Sequence, residues 1–259
     1  MVMLNKSKLE KKEFVKKIII IVLAILIAIE TICFTIYFIK FIEKNNRLKE
    51  FNDYKNKVKF YEILKDNLGI QKLYEINEDF IGWIKCDDIG LSLPVVASND
   101  EKDKEYYLTH DFENKESIFG CPYLKYGCSL DSSNNSTVIG HSSFLTGEVI
   151  FSEFINYLDS TNDKNYNYMI TIETNNGLLS YEIFSAFQIY TKDDISDAYF
   201  IYNTADFNVG DFETFYSNCK KLSVIERNIP VDVEDKFLTI ITCSKINLAY
   251  RVVVVAKLN

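Results

Sequence analysis

Histidine and proline are scarce in this chain, and its body carries no excess of positive charge. With only two histidines in 259 residues, His110 and His141, neither has a second histidine close by in sequence. The six cysteines show no paired Cys-x-x-Cys spacing, which argues against a zinc site. Three prolines form no Pro-rich linker and no internal repeat is visible, so one folded domain is expected. The net charge is −8, divided as +7 over the first 59 residues and −15 over the remaining 200. Such an acidic body argues against nucleic acid as a partner, because phosphate binding needs clustered Lys and Arg.

What the chain does have is apolar length. Residues 18–39 form a run of 22 with a single charge, Glu30. As a helix this run spans about 33 Å, enough for a hydrocarbon core of about 30 Å. A cleaved signal peptide has a shorter apolar region followed by a small-x-small site, and none follows Tyr37. An uncleaved transmembrane anchor is therefore expected. Lysines flank it on both sides, six in residues 1–17 and six plus Arg47 in residues 40–59, so charge alone does not orient it. Residues 41–69 are rich in Lys, Glu, Asn and Leu and read as a helical stalk.

From Phe80 the apolar period changes to that of strands. Eight are expected, at 80–85, 89–97, 117–124, 137–141, 168–173, 178–190, 237–243 and 251–257, with turn-forming clusters between several of them. Two helices are expected among them, at 148–158 and 211–222. In the second, Phe212, Phe215, Tyr216 and Cys219 recur at helical spacing. The fold class is mainly β: a closed or nearly closed eight-stranded barrel, which removes exposed edges. At 47% apolar content the core is large enough to do without disulfides, and Cys121 and Cys128 could either pair or serve as core and loop residues.

Cys243 ends the apolar run 237–243, and Arg251 heads the run 252–256 eight residues later. The two runs read as neighbouring buried strands, and a strand spacing of about 4.8 Å brings a thiol close to a guanidinium. A cation there favours the thiolate, the form that attacks carbonyls. His141 ends a third such run, Thr-Val-Ile-Gly-His at 137–141. Together the three suggest a cysteine nucleophile, an acid/base and an oxyanion clamp. Taken singly, each has a plain reading as a buried thiol, a core histidine or a barrel-rim charge.

The sequence resembles the class B sortases, membrane-anchored cysteine transpeptidases of Gram-positive bacteria. The resemblance rests on Leu-Thr-Ile-Ile-Thr-Cys at 238–243, on Tyr-Arg-Val-Val-Val-Val-Ala-Lys at 250–257, and on Val-Ile-Gly-His at 138–141. Supporting stretches are Ile-Gly-Trp-Ile-Lys at 81–85 with Leu-Pro-Val-Val at 93–96, and Tyr-Leu-Thr-His-Asp-Phe at 107–112 with Ser-Ile-Phe at 117–119. The match runs over about residues 55–259, and the helix expected at 211–222 separates class B from the smaller class A domain. Two departures stand out. Ile241 occupies a position that is often Ser in class B, and Gly140 and Ser142 flank the histidine where an aromatic residue or Asn is frequent. His110 falls within a supporting stretch and reads as structural.

The resemblance implies a two-step acyl transfer with Cys243 as nucleophile, His141 as general acid/base and Arg251 stabilising the oxyanion. Thr242 and Ser244 would border the substrate. The donor would be a secreted protein carrying a C-terminal sorting motif cleaved after Thr, and the acceptor an amine of the peptidoglycan cross-bridge (lipid II). No metal or organic cofactor is implied. It further implies a single-pass cell-membrane protein with an amino-terminal cytoplasmic tail at 1–17, an anchor at 18–39, a stalk with N-terminal helices at 40–69, and an extracytoplasmic catalytic domain at 70–259. Pilin-polymerising relatives commonly carry a second membrane helix near the C-terminus. This chain ends at Asn259 just after its last strand, so wall anchoring is expected. A silent, membrane-anchored binding module would have no need for Cys, His and Arg together.

Overall fold

Residues 252–256 are apolar without interruption, so this strand must be covered on both faces, and that requirement organises the fold. The computed structural model describes residues 2–97, 103–141, 151–158, 166–193, 195–243 and 249–259, with side chains for all of these but 2–11, 152 and 243. The described residues hold eight strands: β1 Phe80–Cys86, β2 Leu91–Val96, β3 Tyr123–Leu124, β4 Asn135–Gly140, β5 Met169–Thr174, β6 Gly177–Tyr190, β7 Phe237–Cys243 and β8 Tyr250–Leu258. They close into a barrel in the order β1-β2-β3-β4-β7-β8-β6-β5. The helices are α1 Val2–Leu68, α2 Gln71–Ile76, α3 Ser196–Asn203 and α4 Val209–Leu222.

The chain divides into two compact units, Met1–Glu50 and Phe51–Asn259. In the first, α1 exposes its apolar side chains through residues 18–39. Among the described residues it is the one helix long and apolar enough to cross a membrane. The hydroxyls of Thr31 and Thr35 donate to the carbonyls of Ala28 and Thr31, both at 2.8 Å, so neither polar group needs a partner outside the helix.

In the second unit, strand alternation sorts side chains into two cores. Val138 of β4, Leu238 and Ile240 of β7, and Val252, Val254 and Ala256 of β8 point inward with Ile84, Val95 and Ile172. Phe237 and Ile241 of β7 and Val253 and Val255 of β8 point outward, under a layer built by Ala198 and Ile201 of α3 and Phe215 and Cys219 of α4. A capping box starts α4: Asn208 accepts from the Asp211 N–H at 2.9 Å, and the Asp211 carboxylate accepts from the Asn208 N–H. Phe151 closes over the inner core at the end of β4, where Gly140 leaves the space it needs. A Cβ on Gly140 would stand 2.4 Å from the Phe151 ring.

Several expectations change. The strand expected at 117–124 shrinks to Tyr123–Leu124, because Gly120 adopts φ +60° where the chain turns tightly against residues 107–108. The helix expected at 148–158 is a 3-10 turn over Ser152–Leu158, and 148–150 lie outside the described residues. Helix α3 is an addition. Cys121 and Cys128 are separate free thiols, Cys121 buried with its Sγ 3.8 Å from the Pro94 carbonyl.

The far end of α1, within the second unit, is tied to the barrel by charge. Lys57 Nζ donates to Asp111 Oδ2 at 2.9 Å and to Glu113 Oε2 at 3.3 Å, and Tyr61 donates to Glu113 Oε1 at 2.6 Å. Hydrogen bonds from Lys115 and Tyr61 bring the Glu113 carboxyl down to about 2. A depressed carboxylate pKa stabilises the fold above the unfolded value and loses that contribution as the pH falls through the folded one. Glu113→Gln should therefore lower stability by about 1–2 kcal/mol at pH 7, and the gap to wild type should close between about pH 4.5 and 2 in denaturant titrations. A gap independent of pH would mean that shape, not charge, holds this contact. Gly140→Ala should cost about 1–3 kcal/mol by overpacking against Phe151. An unchanged Tm would show that the ring has room to move.

Candidate active site

The site is positioned by two registers. Strands β4 and β7 are parallel, with Ile139 beside Ile241 and Gly140 beside Thr242. Strands β7 and β8 are antiparallel, with Thr242 opposite Val252 and Cys243 opposite Arg251. Position 243 therefore lies at the end of β7, between Arg251 on one neighbour and the continuation of β4 at His141 on the other. Neighbouring strands are about 4.8 Å apart, so all three fall within one small patch. Alternation puts Arg251 on the same face of β8 as Val253, at the rim of the outer core.

His141 and Arg251 are each half-buried. Burial lowers the His141 pKa, a hydrogen bond between its ring and the Leu108 backbone carbonyl raises it, and the nearby Arg251 charge lowers it again, leaving it below the usual histidine value. The ring is thus a neutral imidazole at pH 7 and, once protonated, a stronger acid than a free histidine. Arg251 Nη1 donates to the Tyr250 carbonyl at 3.2 Å, and the Tyr250 ring packs on Tyr190 across the β6–β8 ladder, 4.9 Å between centroids. These contacts steady the base of the guanidinium. Tyr202 of α3 also lies within reach of the Arg251 charge. Burial raises its phenol pKa, and the guanidinium partly offsets that rise.

Of the residues singled out in the sequence, Thr242 is 2% exposed and falls on the inner face. Ser244 and Ser142 lie outside the described residues. Ile241, the departure from the family pattern, is a core residue packed beneath α3 and α4. His110 is apart from the patch in its contacts: it stacks on Tyr106 with 3.8 Å between ring centroids, and its Nδ1 lies 2.9 Å from the Tyr106 carbonyl. Sequence reasoning missed Tyr202, on a helix that was not foreseen. The remaining cysteines with perturbed thiols move away from reactivity. Burial raises Cys86 to about 11, lifts Cys121 and Cys219 well above their ordinary value, and raises Cys128 as well.

Comparison with known proteins gives this geometry its context. Sortase B of Staphylococcus aureus is 29% identical over 192 residues, 73% of each chain. The crystal structure of Clostridium perfringens sortase B is 27% identical, with a TM-score of 0.63 over 73% of this chain and 98% of that one. A substrate complex of S. aureus sortase B gives a TM-score of 0.66 at 25% identity, covering 81% of this chain and 98% of that one. The sortase domain family model matches residues 84–259, from the middle of β1 to the last residue. With the closed eight-stranded barrel, the helical layer over β7 and β8, and a match spanning more than half its length, this chain belongs to the sortase family, and its relatives are sortases of class B.

Proposed function

We propose that this chain is a cysteine transpeptidase that cleaves a C-terminal sorting motif after Thr and transfers the new carboxyl end to an amine of the cell-wall peptidoglycan. The observation that carries the reading is the pair of registers that sets 243 between Arg251 and the end of β4. Neutral His141 takes the proton of the Cys243 thiol, the thiolate attacks the Thr carbonyl carbon, and negative charge develops on the carbonyl oxygen. The Arg251 guanidinium, a permanent charge with a fork of donors, stabilises that oxyanion. As the tetrahedral species collapses, protonated His141 delivers its proton to the leaving amine, and a thioester remains on Cys243. The acceptor amine then attacks the thioester, neutral His141 takes its proton, and Cys243 leaves as the thiolate, which recovers a proton from His141 and returns the neutral pair. A lowered His141 pKa suits the donor half of this cycle, because the imidazolium gives up its proton readily. Thr242 would shape the pocket from the inner face, and Ser244 would border the substrate.

The same reading places the chain in its compartment. Residues 1–17 form a cytoplasmic tail, 18–39 cross the membrane once, 40–69 carry the stalk and N-terminal helices, and 70–259 form the catalytic domain outside. Clients are secreted proteins with a sorting signal, and the acceptor is the cross-bridge amine of lipid II.

A panel of quenched fluorescent sorting peptides tests the chemistry. Wild-type protein should cleave at least one between Thr and the next residue, and mass spectrometry should find the acyl-enzyme and its transfer to added oligoglycine or diaminopimelate. Cys243→Ala should be inactive with its fold intact; turnover in that variant removes Cys243 as nucleophile. Arg251→Lys keeps the charge and loses the fork, so kcat/KM should fall about a hundredfold or more. A rate near wild type would return Arg251 to a structural role. Transfer to a lysine-bearing pilin peptide in preference to wall amines would redirect the reading to pilus assembly. Deleting residues 1–44 should yield a soluble, active protein, and an insoluble or inactive product would mean that the apolar helix belongs to the catalytic fold.

A further inference from the structure

Strand β4 pairs with β7 as far as Gly140 beside Thr242, so His141 stands one residue beyond the last rung of that ladder. Its backbone is held from another direction. The His141 carbonyl accepts from the Phe151 N–H at 3.3 Å, and the Phe151 ring lies over Gly140, where an added Cβ would meet it at 2.4 Å. Phe151 is itself fully buried in the inner core. From there the 3-10 segment Ser152–Leu158 crosses the mouth of the barrel, packing on β6, β8 and the turn Asp87–Ile89 that joins β1 to β2. The Phe154 N–H donates to the Phe151 carbonyl at 3.2 Å, and the two rings meet edge-on with 5.6 Å between centroids. Near the far end Tyr157, 4% exposed, donates its hydroxyl to Asp88 Oδ2 at 2.8 Å and sits 3.3 Å from the Cys86 sulfur. Asp88 is fixed in turn by the backbone N–H groups of Asn167 and Tyr168, at 2.9 and 2.7 Å. One carboxylate thus gathers the β1–β2 turn, the approach to β5 and the end of the crossing segment.

We propose that residues 151–157 are a brace that sets the position of His141: Phe151 pins the end of β4 from inside the barrel, and the Tyr157–Asp88 bond fixes the brace to the opposite wall. Ladder hydrogen bonds hold a strand only as far as its last pair, and the residue beyond keeps two soft backbone dihedrals unless something else fixes them. Here that support is a buried ring and one backbone bond. An aromatic ring suits the task because it has only two side-chain dihedrals, and close packing leaves both little freedom. Packing has no direction along the segment, whereas a hydroxyl aimed at a carboxylate does, so Tyr157 keeps the brace from sliding. The inference rests on the proposed role of His141 as acid/base, because proton transfer tolerates little error in placement. Phe151 and Tyr157 are positioning residues, acting on the reacting groups only through the backbone of 140–141.

The presence of only two histidines makes this measurable on the full chain in detergent micelles, with 15N-labelled histidine and His110 as an internal control. Tyr157→Phe keeps the ring and removes the bond to Asp88. Phe151→Leu keeps an apolar filler and takes the ring away from Gly140. In both, the His141 ring should gain contact with water, and its pKa should rise toward the ordinary histidine value because burial is the first cause of its depression. His110 should titrate as in wild type. In the peptide assay kcat should fall about tenfold for Tyr157→Phe and about a hundredfold for Phe151→Leu, with KM within about twofold. A merely structural role would lower Tm and leave the His141 titration and kcat unchanged, and that result in folded Tyr157→Phe protein overturns the proposal. Should Phe151→Leu fail to fold, Tyr157→Phe decides alone, since it removes a single oxygen. The peptide assay on His141→Ala separates the two readings. An active His141→Ala protein would end the acid/base role while an altered titration in Tyr157→Phe still upheld the brace. An inactive one beside an unchanged Tyr157→Phe titration would end only the brace.

Discussion

Two-faced burial of β7 and β8 is the constraint on which the rest of this molecule depends. Because both faces of these strands are apolar and covered, a slip of one residue would drive Thr239 and Thr242 out of their places and exchange the inner for the outer core. The slip is prevented on both sides of β7 at once, by β4 in parallel and β8 in antiparallel pairing. Thr239 contributes a further lock: its hydroxyl donates to Asn135 Oδ1 at 2.7 Å, while Asn135 Nδ2 donates to the carbonyls of Ile201 and Thr204. One buried asparagine thus joins β4, β7 and the end of α3. The proposed nucleophile inherits its position from this arrangement, at the first point where β7 emerges from it.

Much of this was legible in the chain, for identifiable reasons. The runs at 237–243 and 252–256 are short, β-branched and bounded by turns, so their strand character and hairpin pairing follow from local sequence. The parallel pairing of β4 with β7 does not. It joins residues about a hundred positions apart, and local sequence carries no record of which distant strand lies alongside. The resemblance, not the pattern, brought His141 beside Cys243. Helix α3 is short and its N-cap, Ile195, offers no side-chain bond, whereas α4 is long enough for Phe212, Phe215, Tyr216 and Cys219 to recur at helical spacing. The strand expected at 117–124 failed because alternation was read through Gly120 and Pro122, where the chain in fact turns.

The site combines a cation and an imidazole that oppose each other. Arg251 disfavours a charge on His141, and burial disfavours it further, so the charged ring is a transient species rather than a resting one. The proposed chemistry uses this economically: a group reluctant to hold a proton passes it on quickly to an amine.

The buried thiols carry a consequence for biogenesis. Cys86, Cys121 and Cys219 are inert once the barrel has closed, sequestered and fully protonated. Before closure they are ordinary exposed cysteines. Closure requires pairing across long stretches of chain, β1 with β5 and β4 with β7, and folds dominated by such contacts form slowly. The interval between emergence of the chain and completion of the barrel is therefore when these sulfurs are open to oxidation and mispairing. Any oxidising surroundings met in that interval place a kinetic selection on folding speed that the finished structure no longer displays.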